Sequence, residues 1–366
     1  MKTTLLHDAH EELGARMTTF EDWEMPLQYE GILAEHRHTR SAASLFDTSH
    51  MSRLRVDGPG AEDALSFALA CRPIQTGRSR YGFLLNSCGG VIDDVVTYRL
   101  SDDSYMVVGN AGTRETDAQV LAERMGGEAQ FCDVSDEVVM LALQGPQSAR
   151  VLKDLYDVPV EELRYFRFRE VELDGAEVIL SRTGYTGELG YELYLELDAV
   201  HAVWDRIREH PAVEPAGLGA RDTLRLEMGL CLYGHELDES TTPLEAGLEM
   251  FLPKDGEYVG SDGIARQREE GIEVRRVGVQ LEGRRAARPE DVFLVGDREV
   301  GSVTSGAFAP SLGCAVAMGY VGSDVAEPGQ QMEAAVRSHR IAGEVVELPF
   351  YREGTATIDL SEGELP

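Results

Sequence analysis

Apolar residues recur at two different spacings in the first 250 residues, and the spacing changes from segment to segment. After Pro59, apolar residues return at intervals of three and four, which predicts a helix beginning there. Segments 91–100 and 104–108 are instead rich in β-branched residues and are joined by Asp102 and Asp103, which predicts a β-hairpin. This alternation of helix-like and strand-like segments predicts an α+β protein.

The same criteria extend the prediction up to residue 227. The predicted helices are 113–125, a segment from Gly145-Pro146 through Leu155, a helix from an Asp198 cap that carries Val200, Val203, Trp204 and Ile207, and 220–227. The predicted strands are 138–143, 177–181 and 191–197, the last two around a glycine-rich turn.

Beyond about Glu249 the pattern changes to short strands. Segments 277–281, 299–304, 315–321 and 341–346 are separated by Gly, Pro and Asp turns, which predicts a small β-barrel or sandwich. We therefore predict a domain boundary near residue 250. A chain of 366 residues also exceeds what one hydrophobic core usually serves, so two or three domains are expected.

Charge and cysteine usage narrow the class of protein. The chain has 34 Lys and Arg against 65 Asp and Glu, a net charge of −31, which disfavours binding to nucleic acid or to an anionic membrane surface. Five scattered cysteines without a CxxC pair predict reduced thiols and no metal site. With neither a secretory signal nor a membrane-spanning apolar run in the sequence, we expect a cytoplasmic protein.

The first candidate site is the pair of adjacent acids Asp93 and Asp94, which follows the turn 86–90. Strand alternation points the two side chains to opposite faces, so one is expected to face solvent while the other lies toward the interior with Val96 and Tyr98. A carboxylate in a partly apolar cleft can orient an amine, stabilise a cation or transfer a proton. The alternative is a pair of solvated acids beside a turn, and spacing alone does not choose between Asp93 and Asp94.

The second candidate is the glycine-rich segment 182–192. Gly184, Gly187 and Gly190 would let the backbone approach a ligand closely, although neither a Walker lysine nor dinucleotide spacing is present. Glu192 shares a strand face with Tyr194 and could accept two parallel hydrogen bonds from a pterin or a guanidine. The alternative is a tight hairpin with exposed acids.

Two arginines and two histidines complete the candidates. Arg221 and Arg225 fall on one helical face at i, i+4, where they could bind an anionic ligand tail or pair with local acids. His50 and His235 lie near acids in the sequence but belong to no triad or metal spacing, so we expect both to be structural.

Taken together, these segments resemble one family, the aminomethyltransferase (T-protein) of the glycine cleavage system. The likeness runs in order along nearly the whole chain. The matching motifs include Trp23-Glu24-Met25-Pro26, Leu45-Phe46-Asp47-Thr48-Ser49-His50-Met51, Gly89-Gly90-Val91-Ile92-Asp93-Asp94, Gln144-Gly145-Pro146, 182–188, 216–227, 232–239, Val303-Thr304-Ser305-Gly306 and Leu348-Pro349-Phe350-Tyr351.

The resemblance implies a fold and a set of site residues. The family fold has three lobes, here a folate-binding region 1–250 of two lobes and a C-terminal β-barrel domain 275–352. By resemblance Asp94 matches the catalytic aspartate and Glu192 the acid that holds the pterin; Arg221 matches a substrate-binding arginine, and Tyr81 and Asn110 fall at folate-contacting positions. The chain departs from the family at Ala70-Cys71-Arg72, where Thr-Asn-Asp is common, and this puts the rim of the pocket in doubt.

The resemblance also implies the reaction and its partners. The enzyme would release ammonia from the aminomethyl-dihydrolipoyl H protein and transfer the one-carbon unit to tetrahydrofolate, giving methylenetetrahydrofolate. It would work with the decarboxylase and dihydrolipoyl dehydrogenase components. The carboxylate of Asp94 would stabilise the iminium-like cation.

Two other functions remain open, together with the docking surface. A tetrahydrofolate-dependent demethylase of a small methylated compound would keep the folate cradle without needing the H protein. A non-enzymatic folate-binding protein would carry a cysteine signature that 182–188 lacks. Arg284, Arg285 and Arg288 form a basic patch that could dock an acidic H protein or neutralise its own neighbours.

Overall fold

The computed structural model describes residues 1–125, 129–361 and 365. The strands of this part, in chain order, are β1 (Lys2–Thr3), β2 (Arg16–Phe20), β3 (Trp23–Gln28), β4 (Ala43–Asp47), β5 (Ser52–Asp57), β6 (Arg78–Leu85), β7 (Val91–Ser101), β8 (Ser104–Gly109), β9 (Gln130–Asp133), β10 (Val138–Gln144), β11 (Phe168–Leu173), β12 (Ala176–Ser181), β13 (Gly190–Glu196), β14 (Val213–Pro215), β15 (Val274–Leu281), β16 (Val292–Val295), β17 (Arg298–Ala309), β18 (Cys314–Gly322), β19 (Gln331–Val336) and β20 (His339–Val346). The α-helices are α1 (His7–Glu12), α2 (Ile32–Ser41), α3 (Ala61–Ala68), α4 (Arg114–Arg124), α5 (Ser148–Tyr156), α6 (Val200–Arg208), α7 (Leu218–Glu227) and α8 (Ser261–Glu270).

Two large sheets pack against each other in the N-terminal part. One has the order β6-β7-β8-β5-β9 and the other β11-β12-β13-β10-β4-β14, with β1-β3-β2 forming a small third sheet. An apolar cluster that includes Tyr98 on β7 and Tyr194 on β13 occupies part of the space between the large sheets. The two tyrosine hydroxyls are hydrogen bonded at 2.9 Å. Strands β7 and β13, which carry the candidate acids, therefore face one another.

The C-terminal part is a closed barrel with the strand order β15-β18-β17-β16-β19-β20. Its interior is filled by side chains that alternate inward along each strand, among them Phe293, Val303 and Val279. The predicted α+β fold with a C-terminal β-barrel is thus confirmed. Closure into a barrel removes the exposed sheet edges that an open sandwich would leave.

Most predicted elements are present, and two differ. The hairpin of β7 and β8 is confirmed, as are helices over α3, α4, α5, α6 and α7. The predicted Asp198 cap is wrong, because a 3-10 turn, Leu197–Ala199, precedes α6, and its cap position, Ala199, has no side-chain cap. Helix α8 was not predicted, since only Gly263 and Ile264 of its residues are buried and the helix lacks an apolar stripe.

No helix in residues 1–125, 129–361 or 365 combines the length and apolar character required to cross a membrane.

A buried network of charges, which we call the paired network, holds α2, α7 and the C-terminal segment together. It consists of Arg40, Glu188, Glu227 and His36. Arg40 donates to Glu188 at 2.8 Å and to Glu227 at 2.9 Å, and its guanidinium stacks 4.2 Å from the ring of Tyr351. The His36 Nε2 lies 3.2 Å from Glu227. These contacts fix the helix α7 from which Arg221 projects.

Helix α7 is also tied to the barrel. Arg225 donates to Glu236 at 2.9 Å and to Ser305 on β17 at 2.7 Å, and Glu236 accepts a further hydrogen bond from Thr304 at 2.5 Å. Arg225 and Glu236 are almost fully buried. An ion pair that is removed from water is tolerated only when additional hydrogen bonds satisfy its charged groups. These hydrogen bonds also define the geometry of the pair formed by Arg225 and Glu236.

Candidate functional site

The antiparallel register of β7 and β8 places Asp94 beside Asn110. Val96 lies opposite Val108, and continuing that register by two residues brings Asp94 opposite Asn110, the first residue after β8. On the other side, Phe83 of β6 lies opposite Asp94, so Tyr81 is on the same face two residues away. The Tyr81 hydroxyl donates to Asp94 Oδ2 at 2.8 Å. Three predicted site residues are thus brought together.

Asn110 is held by both adjacent acids. Its side-chain Nδ2 donates to Asp93 Oδ1 at 2.8 Å and to Asp94 Oδ1 at 2.9 Å, and its backbone N–H donates to Asp93 Oδ2 at 2.9 Å. Both amide hydrogens therefore point at carboxylates. The amide oxygen Oδ1 accepts from none of the described residues, so it remains available as a hydrogen-bond acceptor for a ligand.

The Asp94 carboxyl sits in an environment that favours its neutral form. Burial, and then the nearby charge of Asp93, raise the pKa of Asp94 to about 7, although the hydrogen bonds from Tyr81 and Asn110 act in the opposite direction. The side chain is half-buried and faces the space between the sheets. A carboxyl whose pKa lies near neutrality can both give and take a proton at physiological pH.

Asp93 is on the opposite face of β7 and does not face solvent. It is fully buried, and its Oδ2 and that of Asp117 on α4 both approach the position that a Cβ on Gly109 would occupy. The expectation that one acid of the pair faces solvent is therefore wrong, because α4 covers one face of the sheet and the second large sheet covers the other. Of the two acids, Asp94 is the one whose side chain faces the space between β7 and β13, which we call the cleft.

Glu192 projects from β13 into the same space. Thr183 donates to its Oε2 at 2.5 Å, and the Tyr98 hydroxyl donates to the same oxygen at 3.3 Å. The other oxygen, Oε1, accepts from none of the described residues. Burial raises the pKa of Glu192, while Thr183 and the charge of Arg221 oppose this. Only 8% of Glu192 is exposed, so the alternative of a hairpin with exposed acids is wrong at this residue.

Arg221 completes the cleft from α7. Its guanidinium lies 4.7 Å from the ring centroid of Tyr185, and burial lowers its pKa while the charges of Tyr185 and Glu192 oppose this. Within residues 1–125, 129–361 and 365 no carboxylate lies within 4 Å of Arg221. Arg225, by contrast, pairs with Asp222 and Glu236. Pairing with local acids is thus confirmed for Arg225, and ligand binding by Arg221 stays a prediction.

The glycine-rich segment is packed against the protein itself. A Cβ at Gly184 would lie 1.9 Å from Gln144 Oε1, and one at Gly190 would lie 2.4 Å from the same amide. Gln144 donates to the carbonyl oxygens of Thr183 and Tyr191 and accepts from Thr186. The expectation that these glycines approach a ligand is therefore wrong for Gly184 and Gly190, which make room for Gln144.

The two histidines differ in their surroundings. His50 is buried with its ring edge-on to Phe20, and burial, followed by the nearby charge of Arg221, lowers its pKa to about 3, so His50 lies beside the cleft residue Arg221. His235 is exposed and lies 3.1 Å from the carbonyl oxygen of Thr304. Neither histidine contacts Asp94 or Glu192 within the described part of the chain.

Sequence reasoning missed Tyr185 and Asp117. Tyr185 stacks under Arg221, and its hydroxyl donates to the carbonyl oxygen of Cys231. An aromatic residue between two glycines of a candidate loop was the available signal for it. Asp117 had no such signal, because its meeting with Asp93 depends on how α4 packs on the sheet.

One group of potential metal ligands occurs in the described residues, formed by His7, Asp8 and Glu11 on α1. Asp8 and Glu11 are exposed, and none of the cleft residues named above belongs to this group. Such groups are common on acidic surfaces.

The residues at the cleft define the class of site. Open acceptors at Glu192 Oε1 and Asn110 Oδ1 suit the N–H groups of a flat heterocycle, and a carboxyl with a raised pKa lies between the sheets. Such an arrangement can bind a small molecule that carries N–H groups and can exchange a proton with it.

Comparison with known proteins agrees with this class. The family model described as GCVT N-terminal domain matches residues 6–256, and the one described as glycine cleavage T-protein C-terminal barrel domain matches residues 275–352. An aminomethyltransferase of Halothermothrix orenii is 42% identical, covering 96% of this chain and 100% of that protein. One of Saccharopolyspora erythraea is 43% identical, covering 96% and 98%.

A solved structure shows the same fold. The glycine cleavage system aminomethyltransferase T from Bartonella henselae is 38% identical, with a TM-score of 0.92, covering 97% of this chain and 99% of that chain. The chain therefore belongs to the aminomethyltransferase family of the glycine cleavage system and is a transferase. The comparisons do not favour the demethylase alternative.

Proposed function

We propose that the cleft between β7 and β13 binds tetrahydrofolate and catalyses aminomethyl transfer from the dihydrolipoyl arm of an H protein. The observation that carries this proposal is the position of Asp94. Its carboxyl is held by Tyr81 and Asn110, has a raised pKa, and faces the same cleft as Glu192 and Arg221. Asp94 is the catalytic residue of the proposal, and Tyr81, Asn110, Glu192 and Arg221 are the binding residues.

Two open acceptors support the folate assignment. Glu192 Oε1 would accept a hydrogen bond from the pterin ring, since its partner oxygen Oε2 is already occupied by Thr183 and Tyr98. Asn110 Oδ1 would accept from an amine N–H near Asp94. Tetrahydrofolate, when bound, supplies the two amine nitrogens that take up the one-carbon unit. The contacts that hold both acceptors exist in the protein alone, so the groups are oriented before binding.

Asp94 would stabilise positive charge on the one-carbon unit and would transfer protons. Loss of ammonia leaves positive charge on the one-carbon unit, and a carboxylate in a water-poor cleft stabilises such charge strongly. With a pKa near neutrality, the same group could accept the proton that the attacking amine loses on bonding to the one-carbon unit and give it to the thiolate as the carbon–sulfur bond breaks. The Tyr81 hydroxyl would keep the Asp94 carboxyl in the orientation that this requires.

Arg221 would bind an anionic or carbonyl part of the substrate. Because no described acid pairs with it within 4 Å and Tyr185 fixes its plane, its donors are available to a ligand. Glu192 is close enough for its charge to oppose the lowering of the Arg221 pKa by burial.

The proposed partners are the lipoylated H protein and, through it, the decarboxylase and dihydrolipoyl dehydrogenase components. Arg284, Arg285 and Arg288 are exposed, and none of the described acids pairs with them within 4 Å, which favours docking over neutralisation of neighbours. Arg284 lies over the ring of Phe308 on β17. The division into a folate-binding region 1–250 and a barrel domain 275–352 is part of the same proposal.

The proposal is tested by comparing the native chain with Asp94→Asn. Ammonia release and methylenetetrahydrofolate formation are measured from aminomethylated H protein and tetrahydrofolate. Turnover should fall by about 10²–10⁴-fold in the variant, since proton transfer and charge stabilisation are both lost. The exposed hairpin variant Asp103→Asn is the matched control and should keep native turnover. Near-native turnover in Asp94→Asn would contradict the proposal.

Docking is tested by charge reversal at the basic patch. Arg284→Glu with Arg285→Glu should raise the KM for the H protein about tenfold at low salt and leave tetrahydrofolate affinity unchanged, because rim charges act mainly on association. An unchanged KM at low salt would remove the patch from the proposal. Loss of folate binding would indicate misfolding instead.

A further inference from the structure

Behind the cleft, two buried carboxyls approach each other, and no cationic side chain of the described residues is among the groups that shift their pKa values. Asp93 on β7 and Asp117 on α4 are 0% and 1% exposed. A Cβ built on Gly109 would lie 2.7 Å from Asp93 Oδ2 and 2.8 Å from Asp117 Oδ2, so the two oxygens converge on the space that this glycine leaves empty. Two ionised carboxylates in contact within a buried region repel each other strongly, and such a pair retains a proton.

The hydrogen-bond pattern favours Asp117 over Asp93 as the acid that carries that proton. Both oxygens of Asp93 already accept hydrogen bonds from Asn110. Neither oxygen of Asp117 receives a hydrogen bond of acceptable geometry, and the nearby Thr113 hydroxyl donates instead to the carbonyl oxygen of Asn110. A proton on Asp117 that is donated to Asp93 satisfies an otherwise unpartnered buried group.

We propose that Asp93 and Asp117 share one proton, carried by Asp117, and that this pair positions Asn110 against Asp94. Asp93 stays ionised and accepts from both N–H donors of Asn110. The amide is thereby prevented from flipping, and its oxygen stays on the cleft side. Asp93 and Asp117 are positioning residues in this arrangement, and their effect on turnover rests on the function proposed above.

The surroundings of the pair favour the protonated form. Asp94 on the same strand and Tyr233 on the segment after α7 are the titratable groups that interact with the pair, and neither of them is cationic. Burial, and then the charge of Asp93, raise the pKa of Asp117. A second negative charge at the pair would therefore have no counter-charge among these neighbours.

Infrared spectroscopy tests the shared proton without any turnover. At neutral pH the native chain should show the carbonyl stretch of a protonated carboxylic acid, shifted in D₂O. The band should persist in Asp94→Asn and disappear in Asp117→Asn, whose amide donates to Asp93 without a titrating proton. The proposal is overturned if the native minus Asp117→Asn difference spectrum contains no such band.

Unfolding equilibria give a second, independent reading. Above the ordinary Asp pKa, the folded native chain holds one more proton than the unfolded chain. As pH rises, the unfolding constant of the native chain should therefore increase relative to that of Asp117→Asn, by up to about tenfold per pH unit. Equal pH slopes for the two proteins would overturn the shared proton even if both are fully active.

Turnover separates positioning from mere packing. Asp117→Leu keeps the volume but removes the donor, so kcat should fall about tenfold to hundredfold as Asn110 loses its orientation, and Asp117→Asn should restore most of that loss. If Asp117→Leu does not fold, Asp93→Asn replaces it, because its amide turns an N–H toward Asn110. A folded Asp117→Asn as inactive as Asp117→Leu would overturn the positioning role. Absent turnover in the native chain with the infrared band present would instead remove the proposed function.

Discussion

The paired network and the cleft both bury charged side chains, but they leave them in different states. In the paired network every carboxylate oxygen of Glu188 and Glu227 accepts a hydrogen bond, from Arg40, His36, Ser311 or Thr355. In the cleft, one oxygen of Glu192 has no donor among the described residues, and Arg221 has no carboxylate within 4 Å.

The pKa shifts follow the same division. Burial alone would raise the pKa of Glu227, but the hydrogen bond and charge of His36 lower it, whereas the pKa of Glu192 stays raised. Both carboxyls are buried, and hydrogen bonds and charge outweigh the effect of burial on the pKa at Glu227 but not at Glu192. Buried charges that lack partners within the protein indicate where a ligand is expected to supply them.

The largest expected effect is on stability, in the paired network. Arg40→Ala leaves Glu188 and Glu227 buried without their cation and should lower the free energy of unfolding by about 3–5 kcal/mol. Urea denaturation measures this loss. The exposed pair of Arg150 with Asp154 provides the control, since Arg150→Ala should change stability by less than about 0.5 kcal/mol. Equal effects of the two substitutions would remove the distinction between paired and surface charges.

The next effect is on binding, in the cleft. Glu192→Gln keeps the shape but removes the charge that faces the ligand, so the Kd for tetrahydrofolate should rise about tenfold to hundredfold, or about 1.5–3 kcal/mol. The free energy of unfolding should not fall. Glu196→Gln on the same strand is exposed and should leave the Kd unchanged. If Glu192→Gln instead destabilises the fold without changing the Kd, the buried charges of the cleft serve stability, as those of the paired network do.

The smallest effect is a pair of opposite pH dependences. The folded pKa of Glu192 is raised, so the native chain should lose stability relative to Glu192→Gln as pH rises above the ordinary Glu value. The folded pKa of Glu227 is lowered, so the native chain should lose stability relative to Glu227→Gln as pH falls through that value. A tenfold difference in proton affinity between the folded and unfolded chain corresponds to about 1.4 kcal/mol. Urea midpoints between about pH 3 and pH 5 report the Glu227 slope and those between about pH 5 and pH 8 report the Glu192 slope, and slopes of the same sign would contradict the comparison.

The sequence predicted the strands of the cleft better than the state of its side chains. Period-two alternation correctly put Glu192 and Tyr194 on one face of β13, because that pattern depends only on local backbone geometry. It left Asp93 and Asp94 undecided, since which face of β7 is buried depends on α4 and on the opposite sheet. The meeting of Asp93 with Asp117 depends on helix packing across 24 residues of chain and has no local signature.

The glycines of segment 182–192 predicted a close contact correctly but did not identify the group that makes it. Three glycines in the segment 182–192 indicate close approach, and close approach occurs, but the group that approaches at two of them is Gln144. A single sequence shows that something must fit at such a position without showing what fits. Helix α8 was missed for a related reason, because its few buried positions come from contacts that are distant in sequence.

The Gln144 amide, inserted between Gly184 and Gly190, gives the loop a property that its composition conceals. Three glycines would ordinarily make a segment flexible. Here the absence of a Cβ at Gly184 and Gly190 lets the Gln144 side chain hydrogen bond the loop to the end of β10. A loop that is already ordered loses little conformational entropy when a ligand arrives, so more of the contact energy appears as affinity. Glycine, the residue with the greatest conformational freedom, therefore contributes to the rigidity of this loop.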